Sequence, residues 1–205
     1  KERLRAAGLA TPPWAVVDSP NSIRPAELEP PLVLKPVKQG SSLGLQFMES
    51  GEQWGEALIE VLRYDEQALV EPRIMGREVT VSILDDEALP IVEMRPKQGA
   101  YDYHNKYTVG ATDYFCPADF DADITAAIQT LGRAAHDALE AGGYSRVDIM
   151  VDAAGVPTVL EVNTLPGLTE TSLFPKAAAA AGVDFATLCE RIVVLAMARA
   201  ERVAH

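Results

Sequence analysis

The chain has 205 residues, a formal net charge of −12 and a hydrophobic fraction of 48%. That length allows one domain or two small ones, with enough apolar material for a core. The negative field disfavours nucleic acid and anionic membrane as partners, so an anionic ligand has to be drawn in locally, by clustered Lys and Arg or by metal ions.

Taken in chain order, Lys1–Gly8 reads as the tail of a helix and residues 11–31 as a Pro-rich connector with one short strand at Trp14–Val17. Strands follow at Leu32–Lys35 and Leu45–Met48, separated by a polar turn, Gly40–Gly44. Glu52–Arg63 has helical periodicity, with Trp54, Leu58, Ile59 and Leu62 on one face. Ala68–Glu71, Glu78–Leu84 and Leu89–Met94 are β-like, with a turn at Asp85–Glu87. Residues 95–117 are rich in Tyr, Gly and Lys and lack periodicity, the mark of a functional or disordered loop. Asp123–Ala141 is helical, a hairpin spans 145–163, and the final helix covers about Asp184–Val203. Antiparallel hairpins beside separate helices predict an α+β fold. Cys116 and Cys189 form no CxxC pair, no stretch reads as a signal peptide, and no apolar run is long enough to span a bilayer; a reducing, cytoplasmic setting is expected.

The hairpin carries four polar side chains where a core would be apolar. If the Asp-Ala-Ala-Gly turn pairs Val151 with Val156, Arg146 lies opposite Glu161 and Asp148 lies diagonal to it. Arg146, Asp148, Glu161 and Asn163 then share one face, and Val147, Ile149, Val151, Leu160 and Val162 share the other. Two carboxylates and an amide suit Mg²⁺, and an Arg among them suits a phosphate ligand. An exposed sheet face with an Arg146–Glu161 salt bridge accounts for the same pattern. Downstream, Asn163–Thr169 leaves through a Pro-Gly turn whose backbone N–H groups could hold an oxyanion.

The stretch "SRVDIMVD…LEVNTLPGLTETSLFPKAA" resembles the C-terminal signature of D-alanine–D-alanine ligases, in the ATP-grasp superfamily. "LVLKPVKQGSSLGL", "LVEPRIMGREVTVSIL" and "PKQGAYDYHNKYTVGATDYFCPA" resemble further family blocks, in order, so the likeness covers nearly the whole chain. It implies two α+β subdomains with mostly antiparallel sheets that grip ATP, here a central one over 1–78 and a C-terminal one over 79–205. The family's N-terminal domain has no counterpart in these residues. The expectation is therefore most of an ATP site and part of an acceptor site.

The resemblance also implies residue roles. Lys35 would contact the ATP phosphates, with Ser41 in a closing Gly/Ser loop that is not a Walker A motif. Glu71 and the Ile74 backbone would meet adenine, Glu78 the ribose, and Met150 and Leu160 the ring faces. Lys106, with Tyr107, would close over the γ-phosphate; Lys38 and Lys97 are weaker phosphate candidates. Asp148, Glu161 and Asn163 would bind two Mg²⁺ ions (or Mn²⁺), with Glu161 bridging. Arg146 and the backbone of Gly167 would stabilise a tetrahedral intermediate, and Ser172 would bind the carboxylate of the second D-alanine. The implied activity is ATP-dependent ligation of two D-alanines through an acyl phosphate, for peptidoglycan synthesis. Its expected partners are small molecules, with neither nucleic acid nor membrane, and a homodimer is the expected assembly. The alternatives are a nucleotide-binding chain without ligase activity, or another ATP-grasp carboxylate–amine ligase. A hydrolase reading of Gly40–Gly44 as G-x-S-x-G needs a helix after the turn, where Leu45–Met48 reads as strand. His136 reads as a helix-surface residue.

Overall fold

The computed structural model describes residues 1–203, with His104, Tyr107, Arg202 and Val203 described by their backbone only. In chain order the elements are α1 (Glu2–Ala6), β1 (Ala15–Val17), β2 (Leu32–Pro36), β3 (Gln46–Met48), a 3₁₀ turn (Gly51–Gln53), α2 (Trp54–Val61), β4 (Ala68–Pro72), β5 (Arg77–Leu84), β6 (Glu87–Ala88), β7 (Val92–Pro96), α3 (Tyr103–Tyr107), β8 (Thr112–Phe115), α4 (Ala122–Ala138), β9 (Tyr144–Val151), β10 (Pro157–Asn163), α5 (Leu173–Ala180) and α6 (Phe185–Val203). No helix among the described residues is long and apolar enough to cross a membrane.

The chain folds into two compact units: Lys1–Thr11 with Met75–Arg95 and Asp113–His205, and Pro12–Ile74 with Pro96–Thr112. A single cut after Glu78 does not describe this division. Glu78 lies inside β5, which pairs with β9 over its whole length, so a boundary there would break a ladder.

The unit built on residues 12–74 holds an antiparallel sheet of order β1-β4-β2-β3. Leu32, Leu34, Met48, Ala68 and Val70 form its core with Ala57, Leu58 and Val61 of α2. Ile59, expected on the buried helix face, is exposed, because the stripe from Trp54 through Ala57 and Leu58 to Val61 is the one that faces the sheet. Residues 96–112 also have structure. α3 is tied down by Asn105, which is buried and donates from Nδ2 to the carbonyls of Gln98 (2.9 Å) and Ala100 (2.7 Å). The Asn105 amide N–H donates to Asp102 Oδ1 at 2.9 Å, and its carbonyl accepts from Thr112 Oγ1 at 2.8 Å.

The other unit holds the sheet of order β10-β9-β5-β7-β8, with β6 paired to β5. One face is apolar: Val79, Val81, Ile83, Val147, Ile149, Val151 and Val159 pack with Ile128 and Ala135 of α4. Gly132 permits this approach, since a Cβ there would stand 2.9 Å from Val81 Cβ. His136 continues the same helical stripe and is buried, not on the surface as expected; its Nδ1 is 2.7 Å from Ser145 Oγ. Gly76 precedes β5 where a Cβ would meet the Val151 carbonyl oxygen at 2.1 Å, so only glycine fits that crossing.

The hairpin register departs from expectation. Val151 pairs with Pro157, not Val156, and a β-bulge lies between Val159 and Glu161. The extra residue is Leu160. Beyond it Glu161 pairs with Asp148 and Asn163 with Arg146, so Arg146 does not lie opposite Glu161. The bulge restores the parity that the one-residue shift had changed, and the polar residues still share a face. Leu160 is the residue that changes: it is half-buried and outside the core cluster, whereas simple alternation assigned it to the core.

Candidate functional site

The face of the β5–β9–β10 sheet away from α4 gathers the polar side chains. Strand alternation puts Arg146, Asp148 and Met150 on it from β9, and pairing adds Asn163, Glu161 and Glu78, the last directly opposite Met150. Arg146 pairs with its strand neighbour: Nε donates to Asp148 Oδ1 and Nη2 to Oδ2, each at 2.8 Å. The pair is well shielded, with side-chain exposures of 16% and 9%, and this bidentate geometry locks both groups. Asn163 Nδ2 donates to Asp148 Oδ2 at 3.1 Å and to Glu161 Oε1 at 3.3 Å.

One amide nitrogen thus sits within hydrogen-bond reach of two carboxylates. Amide nitrogen and oxygen exchange places by a half-turn of the side chain, which would present three oxygens to one point. That donor set is hard, partly anionic and small in number, which fits Mg²⁺ or Mn²⁺ carrying additional water or phosphate oxygens.

After β10 the chain turns through buried Pro166 to Gly167, where a Cβ would stand 2.8 Å from Ser172 Oγ. Ser172, at the start of α5, accepts the Thr169 amide N–H at 3.1 Å and lies 2.8 Å from Thr169 Oγ1. An oxygen that accepts from a backbone N–H keeps its own proton for another acceptor. Thr169 was not singled out in the sequence; the only signal for it was a hydroxyl residue three positions ahead of the Ser that precedes α5.

In the unit of residues 12–74 and 96–112, Lys35 and Glu71 occupy neighbouring strands, β2 and β4. Their side chains form an ion pair of 2.8 Å, with Glu71 almost fully buried. A positive and a negative group therefore lie side by side on one sheet face. The turn between β2 and β3 places Ser41 (φ 57°), Ser42 (φ 58°) and Gly44 (φ 74°) in the left-handed region. Strand follows this turn, so the hydrolase reading fails. Lys106 reaches the turn, donating from Nζ to Ser42 Oγ at 2.8 Å, and also stands 4.9 Å from the Tyr101 ring centroid. Ser42 was expected only as a member of the Gly/Ser turn and as the serine of the hydrolase motif, and Tyr101 and Asn105 had no expected role, because these contacts run across the chain. Ile74 closes this unit and is half-buried. The Tyr107 side chain lies outside the described residues. Lys38 and Lys97 are exposed.

A family model described as "D-ala D-ala ligase C-terminus" matches residues 4–194. Among curated relatives, a D-alanine–D-alanine ligase of Methylacidiphilum infernorum is 47% identical over 94% of this chain and 62% of its own length. That of Syntrophotalea carbinolica is 42% identical over 97% of this chain and 65% of its own length. The chain thus spans somewhat under two thirds of these relatives. Among solved structures, the D-alanine–D-alanine ligase of Bacillus anthracis complexed with ATP is 32% identical, with a TM-score of 0.83 over all of this chain and 66% of its own. The D-Ala:D-Ser ligase VanG of Enterococcus faecalis is 28% identical, with a TM-score of 0.84 over 95% of this chain and 59% of its own.

Proposed function

Because the chain belongs to the D-Ala-D-Ala ligase C-terminal family and has its ATP-grasp fold, we propose that it takes part in the ATP-dependent joining of two D-alanines to D-alanyl-D-alanine. The peptide is destined for peptidoglycan, and the setting is the cytoplasm. The observation that carries this reading is the hairpin face on which Asp148, Glu161, Asn163 and Arg146 converge.

The carboxylate of the first D-alanine accepts a phosphoryl group from ATP. The amine of the second attacks the acyl phosphate, and the tetrahedral intermediate expels phosphate. No side-chain nucleophile is required; positioning and charge stabilisation do the work. Asp148, Glu161 and Asn163 would hold Mg²⁺, which when bound would neutralise charge on the phosphates. Arg146 is held in bidentate geometry by Asp148, which fixes its guanidinium charge at the same face, where it would stabilise an oxyanion. The Gly167 backbone supports that oxyanion. Ser172, its hydroxyl oriented by the Thr169 N–H and hydroxyl, would bind the carboxylate of the second D-alanine.

Lys35 serves the phosphates, Lys106 the γ-phosphate, and Ser41 the loop that folds over them, alongside Tyr107. Glu71 and the Ile74 backbone read adenine, Met150 and Leu160 offer it apolar surface, and Glu78 takes the ribose hydroxyls. Supporting this assignment, Glu78 lies directly across from Met150, and the bulge takes Leu160 out of the core.

The test supplies ATP, Mg²⁺ and D-alanine and follows phosphate release and dipeptide by mass spectrometry. The expected result is equal amounts of the two products, reduced on the order of tenfold to a hundredfold in Asp148→Asn. No dipeptide from the unmodified protein, or an unaffected Asp148→Asn variant, overturns the proposal. D-Serine and D-lactate as competing acceptors measure selectivity in the same assay.

A further inference from the structure

Lys106 is the cation assigned above to the γ-phosphate, and a long Lys side chain on a loop is a poor locator of charge unless something holds both of its ends. The structure holds both. At the backbone end, the neighbouring Asn105 is buried and fastened by the bonds to Gln98, Ala100, Asp102 and Thr112 described above. At the ammonium end, Nζ donates to Ser42 Oγ at 2.8 Å, 64 residues away in sequence, and stands near the face of the Tyr101 ring.

We propose that Ser42 is a positioning residue for Lys106, fixing its ammonium beside the Gly40–Gly44 turn before nucleotide arrives. This rests on the nucleotide reading of the site given above. An ammonium has three N–H donors. One is committed to Ser42 and a second side of the group is turned to the Tyr101 π face, which leaves a donor for a terminal phosphate oxygen. The backbone of Ser42 is left-handed, as is that of Ser41, and this conformation sets the direction of its Cα–Cβ bond, from which the hydroxyl reaches Lys106. Ser42 accordingly acts on the last phosphate of a triphosphate and has no role toward a diphosphate.

The experiment measures binding of Mg-AMP-PNP and Mg-ADP to the unmodified protein and to Ser42→Ala, Ser42→Gly, Ser42→Asn and Lys106→Ala. Glycine accepts positive φ without strain and asparagine restores an oxygen acceptor at a left-handed position, so together they separate the lost hydroxyl from a disturbed backbone. Expected for Ser42→Ala and Ser42→Gly is a loss on the order of tenfold for Mg-AMP-PNP, a free-energy difference of about 1.4 kcal/mol. Mg-ADP binding stays within about twofold, and Ser42→Asn recovers part of the loss. Unchanged affinity for both nucleotides, or an equal loss for both, overturns the positioning role. If Lys106→Ala discriminates between the nucleotides and Ser42→Ala does not, only the role of Ser42 falls. If the unmodified protein binds neither nucleotide, the proposed function falls and this inference falls with it.

Discussion

Glu93 offers a quantitative test of what holds β5 and β7 together at the edge of the face that packs against α4, where it lies opposite Val79. It is 2% exposed and accepts from two guanidiniums: Arg77 Nε (3.0 Å) and Nη2 (2.6 Å), and Arg95 Nε (3.3 Å) and Nη2 (2.9 Å). Arg77 lies over the Phe120 ring and Arg95 over Phe115, at 3.6 and 4.3 Å from the centroids. Burial pushes the Glu93 carboxyl up, but the two guanidiniums outweigh it and hold it below its ordinary value of 4.5.

Consider Glu93→Gln, which keeps shape and one acceptor and removes the charge. Breaking a buried ion pair costs about 3–5 kcal/mol. Arg95 is 55% exposed and Arg77 36%, so water recovers part of that, and the Arg95 arm is worth no more than about 1 kcal/mol, like a surface pair. A loss of about 2–3 kcal/mol at pH 7 is expected once these discounts are applied.

A carboxyl with a depressed folded pKa contributes stability that is present above its unfolded value and is lost as pH falls through the folded one. The gap between the variant and the unmodified protein should therefore begin to close below pH 4.5. Both tryptophans, Trp14 and Trp54, lie in the unit of residues 12–74, so their fluorescence reports on the wrong part of the chain. Hydrogen-exchange protection of β5 and β7 amides across a urea series reads the correct part. A difference under about 0.5 kcal/mol at pH 7, where surface substitutions normally fall, would refute the reasoning. A gap undiminished in acid would do so as well.

Three further outcomes follow from packing. Burial holds the His136 imidazole below its ordinary 6.5, so stability should fall as pH drops below 6.5 toward the depressed folded value; His136→Gln should remove that slope in urea titrations. Ser82 Oγ is buried without a hydrogen-bond partner, so Ser82→Ala should be neutral or stabilising by up to about 1 kcal/mol, and a clear loss in the melting midpoint would reveal a missed partner. Gly76→Ala should destabilise by about 3 kcal/mol, because a Cβ cannot stand 2.1 Å from the Val151 carbonyl oxygen; a normal melt would show that this crossing is looser than described.

Most strand positions and the α+β class were legible from alternation and turn residues, because a two-residue period leaves few alternatives; β8 (Thr112–Phe115), inside the loop expected over 95–117, and the two-residue β6 (Glu87–Ala88), at the expected turn, were not. The hairpin shows where such reading ends. Its register was off by one, and a bulge at Leu160 returned Glu161 and Asn163 to the expected face. Polar residues pointed correctly to one surface, although the pairing used to place them was wrong. A bulge carries no periodic signal, so Leu160 could not be placed by pattern alone. His136 was misread for a related reason: its burial comes from the end of α4 lying over the start of β9 at Ser145, a contact between elements. Residues 96–112 looked unstructured because their order comes from Asn105 side-chain bonds to carbonyls, which composition does not reveal.

The central claim is that the hairpin face holds metal and nucleotide. Calorimetric titration of MgATP into the protein and into Glu161→Ala tests it most directly. Glu161 is exposed, so its truncation should leave the fold intact, unlike a change at buried Asp148. Heat of binding is expected from the unmodified protein, and little or none from a variant with an unchanged melting midpoint. Equal binding by the two proteins would contradict it.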